Sequence, residues 1–131
     1  MKKLIISLGL LCALLTGLLL SSFTNKTTVV YDFQQVTTIE SVVPMGAGRS
    51  RMIATSPSGT LEESEMKNFF SISGINFANV RANDKATTDK ISQLVNDGWE
   101  LNQVTSGVYS GTDSNSNGIF ITRYLFKKIK Q

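Results

Sequence analysis

The sequence predicts an α+β fold: a small antiparallel sheet with one main helix packed on one face, plus a short second helix. Three observations lead there. Two long segments rich in β-branched and aromatic residues, Val29–Val43 and Gly118–Ile129, lie near the two ends of the chain. Between them, one segment repeats apolar residues at helical spacing and ends on a glycine. The sequence has 131 residues and one cysteine, which is room for a single domain resting on an ordinary packed core.

The chain opens with Lys2 and Lys3 before Leu4–Leu20, a run without charge. This pattern reads as a signal peptide or N-terminal membrane anchor over 1–24, leaving a single α+β domain over 25–131. Ser21-Ser22-Phe23-Thr24 offers cleavage after Ser22 or Thr24, although neither site matches the small-x-small pattern well. The run is also close to the roughly 20 residues that span a bilayer, so cleavage and retention both stay open. Either way the domain is expected to face away from the cytoplasm, in the periplasm or tethered to the membrane through residues 4–23. Cys12 lies inside the run behind Leu10 and Leu11, not in a lipobox, and reads as a small apolar residue. The exported part then has no thiol and no disulfide.

Within the domain, Tyr31, Phe33, Ile39 and Val43 recur at period two and predict a long first strand. Pro44–Ser50 (PMGAGRS) breaks it. Arg51–Thr55 is the next expected strand, and Ser56–Gly59 (SPSG) a turn. In TLEESEMKNFF, Thr60 and Glu63 fit a capping box, and Met66, Phe69 and Phe70 share a helical face. A short helix is expected there, with a return strand through TLEES as the competing reading. Ser71–Val80 is punctuated by Gly74, with Ile75 and Phe77 alternating as in a short strand. The main helix is expected from about Asp84 to Asp97. Asn83 or Asp84 would cap it, Thr87, Ile91, Leu94 and Val95 would form its apolar stripe, and Gly98 and Trp99 would close it. Trp99–Ser110 predicts a strand with an irregularity near Gly107. In the closing strand Ile119, Ile121, Leu125 and Ile129, interrupted by Arg123, occupy one face, and Phe120, Tyr124 and Phe126 the other. Both faces are largely apolar, so one should meet the main helix and the other the short helix, a membrane surface or another subunit; a central strand covered within the monomer is the equal alternative.

Thirteen basic residues less Lys2 and Lys3 leave eleven, against ten acidic ones, and the excess gathers in Lys127, Lys128 and Lys130. That is not the broad basic face of a nucleic-acid binder. The sequence contains no histidine, which removes the usual general base, zinc ligand and triad member. Glu62, Glu63 and Glu65 suit the positive end of a helix dipole better than a paired-carboxylate site. Gly46–Ser50 (GAGRS) lacks both phosphate-loop patterns, and Arg49, Arg51, Arg81 and Arg123 are read as surface charges unless folding brings them together. Trp99 reads as a packing residue behind its helix, and Asn76 and Asn79 as turn or capping groups, with a binding role as the alternative. Asp113, Asn115, Asn117 and Gly118 spell the first half of a calcium loop. The twelfth position is Tyr124 where a bidentate Glu is needed, so the stretch reads as a hairpin tip. No catalytic residue, no cofactor-binding residue and no metal ligand is assigned.

The opening strand VYDFQQV (through Tyr31 to Val36), the helix-to-strand motif DGWEL (Asp97 to Leu101) and the closing strand TRYLFKK (Thr122 to Lys128) together resemble a family of uncharacterised exported small α+β domains of Bacteroidetes-type bacteria. The resemblance covers half of the domain, and Pro44–Val80 departs from it as an insertion. It implies an antiparallel sheet with a helix on one face, and carries no activity or site residues. The function expected from these readings is a non-enzymatic binding or assembly module of the cell envelope. Its partner would be a protein or a second copy, not nucleic acid. The alternative is a small-ligand binder or envelope enzyme built on carboxylates and arginines.

Overall fold

The computed structural model describes residues 28–43, 48–110 and 118–130. The expected signal or anchor therefore lies outside the described residues, as does all of the calcium-loop-like stretch except Gly118. Described are β1 (Tyr31–Val42), β2 (Ser50–Thr55), β3 (Leu61–Met66), β4 (Phe70–Ser71), β5 (Gly74–Ile75), α1 (Phe77–Asn96), β6 (Glu100–Ser110) and β7 (Gly118–Ile129). The five long strands form one antiparallel sheet in the order β3-β2-β1-β7-β6, and β4 and β5 form a separate two-residue hairpin.

The fold class is α+β as the sequence predicts, with one correction: among the described residues α1 is the only helix. The TLEESEM segment is β3, paired to β2 from Ser50↔Met66 to Thr55↔Leu61. Thr60 closes a turn instead of capping a helix, since its carbonyl accepts from Ser56 N–H at 3.0 Å. Gly59 takes a left-handed φ of 82° in that turn. Pairing with β2 outweighs the capping-box pattern because each strand residue gains a ladder neighbour that a short, solvated helix would not supply.

The main helix also starts seven residues before its expected onset. Asn76 is the N-cap, its Oδ1 accepting from Ala78 N–H at 3.1 Å and Asn79 N–H at 3.2 Å. Its C-terminus ends where Gly98 predicts. Gly98 N–H bonds the Val95 carbonyl at 3.0 Å and Trp99 N–H bonds the Leu94 carbonyl at 2.9 Å, with Gly98 at φ 85°. These are the paired bonds of a Schellman motif. Trp99 packs against the core cluster of Val36, Met52, Ala54, Met66, Leu94 and Phe126, together with Ile91 and Tyr124. Val95, expected on the buried stripe, is half exposed; the buried polar Asn83 takes a place in it.

Strand alternation sets the two faces of the sheet. Val36, Met52, Ala54, Tyr124 and Phe126 point to α1. The register aligns Val36 with both Ala54 and Tyr124, which stacks the core across three central strands. The expected irregularity in β6 is present but misplaced: the register shifts between Leu101 and Gln103, not at Gly107.

Candidate interaction surface

The face away from α1 is built by the alternate residues of the same strands. Ile39 lies opposite Arg51 on β2 and Ile121 on β7; Thr37 lies opposite Ile53 and Arg123. Ile119 and Leu125 extend this face along β7. The isoleucines at 39, 53, 119 and 121 and Leu125 are only half-buried although they lie in the interior of a five-stranded sheet. Around them Phe33 is 50% exposed, Tyr109 66% and Leu61 68%. The short helix expected to cover this face does not exist, and β3 joins the sheet instead.

The charged residues divide by the same alternation. Glu63 and Glu65 share the open face, whereas Glu62 points to the helix side and accepts from Lys90 Nζ at 2.7 Å. This reverses the helical grouping, in which Glu62 and Glu65 would be neighbours. Arg51 donates to Glu63 at 2.5 Å on the open face. Together with Arg49, Glu65 and Asn68 these two line a shallow hollow of about 360 Å³. Two cations and two carboxylates balance there, so the hollow offers no net charge to an anionic ligand. Arg123 lies on the open face two strands away from Arg51, and Arg81 is on α1; the four arginines do not converge. Gly48, from the GAGRS segment, is a packing residue: a Cβ there would collide with the Ser41 side chain. Gly46 lies outside the described residues.

A polar cluster on the other face has a structural role. Asn83, 2% exposed, accepts from Lys67 N–H at 2.8 Å and donates to the Lys67 carbonyl at 2.8 Å and to Glu40 Oε1 at 2.9 Å. It thus clamps the chain leaving β3 to α1 and β1. Tyr124 lies close by. Burial raises its hydroxyl above the ordinary tyrosine range, the Glu40 and Asp84 charges add to the rise, and a hydrogen bond with Thr38 works the other way. The basic end of β7 is held by neighbours: Lys127 faces Glu100 at 3.5 Å, Lys130 faces Asp32 at 3.9 Å, and Lys128 donates to the Asp97 carbonyl at 2.7 Å. Among the described residues no three histidine, cysteine or acidic side chains gather as a metal site, and no helix is long and apolar enough to cross a membrane.

The two outer strands differ in kind. Strand β3 carries Glu62, Glu63 and Glu65 within six residues. Strand β6 is exposed over all eleven residues and bears no charge after Glu100. Beside Gly107 the open face holds a hollow of about 290 Å³, lined by Thr105, Tyr109, Ile121 and Arg123 among others. Neither the open face nor this edge was assigned from sequence as a site. The apolar character of both faces of β7 was the signal for the first; the charge-free run Leu101–Ser110 was available as the signal for the second.

Comparison with protein-family models, with curated proteins and with solved structures found no match.

Proposed function

We propose that this protein is an exported, non-enzymatic assembly module of the cell envelope that works through protein–protein contact, with a second copy of the chain as its first partner. The open sheet face carries this reading. Its interior isoleucines and Leu125 are half-buried with no second layer over them among the described residues, and the face that an antiparallel sheet leaves to water is ordinarily polar, which this one is not. The isoleucines form an apolar patch bounded on one side by Thr37 and Arg123, which cross the middle of the face, with Glu63 and Lys127 at its margins, and a mixed surface of this kind has the make-up of an interaction surface. Export rests on Lys2, Lys3 and the run Leu4–Leu20.

The test is sedimentation of the chain beginning at Thr24, which contains every described residue. Sedimentation velocity over a hundredfold concentration range should show a shift from monomer to dimer. A monomer at every concentration would overturn self-association.

A further inference from the structure

We infer that two copies of this chain join edge to edge through β6, about a two-fold axis at Ser106, to form a continuous ten-stranded sheet. The inference rests on the assembly reading above for its second copy, and moves the contact between copies from the open face to the edge, leaving the joined faces to a further partner.

An outer strand presents a row of backbone N–H and C=O groups that templates further pairing. Folded proteins usually guard such a strand with charge, proline, a bulge or a cover. Here only one edge is guarded by charge. The three glutamates of β3, two of them paired with Arg51 and Lys90, are charged groups that pairing with another strand would have to desolvate, which disfavours head-to-tail growth from one sheet to the next. Strand β6 has no proline and no charge from Leu101 to Ser110, every residue is exposed, and its one register shift lies at the beginning of the strand. Among the described strands the only charge-free edge pairing left is β6 with β6, a closed two-fold arrangement.

The sequence of β6 complements itself in that arrangement. Antiparallel pairing centred on Ser106 sets Val104 opposite the partner copy's Val108. Both valines are on the helix side, 49% and 64% exposed, and β-branched pairs of this kind stabilise adjacent strands. On the open face Thr105 falls opposite the other copy's Gly107. A Cβ at Gly107 would meet nothing within 4 Å, so the hollow there has room for the threonine. Tyr109 falls opposite Gln103. The pairing uses residues 102–110 and joins the two open faces into one surface of twice the width.

The test uses the full chain with Cys12→Ser, exported into an oxidising compartment, so that any cysteine added is the only one. Ser106→Cys places two thiols on the axis, where directly opposed residues have Cα atoms about 4.5–5.5 Å apart, within disulfide range. The expected result is a disulfide-linked dimer on a non-reducing gel. Thr37→Cys, at the centre of the open face, should give none. Adding Val104→Lys to the Ser106→Cys chain should remove the cross-link, with the far-ultraviolet circular dichroism unchanged. A Ser106→Cys chain that stays monomeric, or a cross-link that survives Val104→Lys, overturns the edge inference. If Thr37→Cys cross-links in its place, the copies meet face to face and the assembly reading stands without the edge. If none cross-links and the unsubstituted chain sediments as a monomer, that reading falls as well.

Discussion

Asn83 shows how one polar residue can direct a connection that hydrophobic pattern does not specify. Its side-chain amide satisfies both backbone groups of Lys67 and ties them to Glu40. Asn83→Ala leaves those partners without their hydrogen bonds and should cost about 2 kcal/mol in urea unfolding. Asn83→Asp should cost more at neutral pH, because it removes both donors and turns a carboxylate toward Glu40; an equal or smaller loss would show that the clamp is not what holds this junction. The sequence reading placed Asn83 at a helix cap because polar residues favour caps. Asn76 was the cap, and only the fold reveals that Asn83 lies on the buried stripe. Tyr124 makes a pH prediction. Its folded-state pKa is raised, so above about pH 10 the unfolded chain gives up the proton first. The stabilising contribution is complete below that pH and is lost as pH climbs through the folded value. Tyr124→Phe should therefore flatten the decline of the unfolding free energy above pH 10; an unchanged slope assigns the decline to other groups.

At the level of elements, what was legible depended on whether local chemistry decided the outcome. The end of α1 was readable because Gly98 and Trp99 make a local motif. Strands β1, β2, β6 and β7 were readable in the sequence, β1 and β7 from alternation along the strand. Strand β3 was present only as the competing reading of TLEES, because LEESEM has the composition of a helix start and only Met66 of it is buried; its strand state comes from β2, a partner outside the segment. The same glutamates that suggested a helix dipole become an edge guard once they lie on a strand. Glu63→Thr with Glu65→Thr should unguard that edge at little direct cost, since an exposed pair such as Arg51–Glu63 contributes at most about 1 kcal/mol. Light scattering should then report species larger than a dimer. An unchanged mass would mean that the carboxylates do not limit growth.

For the whole molecule, the sequence reading supplied the sheet, its main helix and the two-sided apolar character of β7, and expected something to cover the second face. The surface left uncovered became visible only when the short helix resolved into β3, since no single strand shows which of its faces α1 occupies. The strand order holds a further consequence. The central strand β1 is the first to be made, yet its longest partner, β7, is the last: Tyr31 pairs with Ile129, and Lys130 N–H reaches the Val30 carbonyl. The β1–β2–β3 meander and α1 can take shape early, but nothing joins β6 to that meander within the sheet until β7 is complete. Closure thus waits for long-range contact between the two ends of the chain, a slow class of folding step. A chain delivered N-terminus first would keep this sheet open until β7 has arrived.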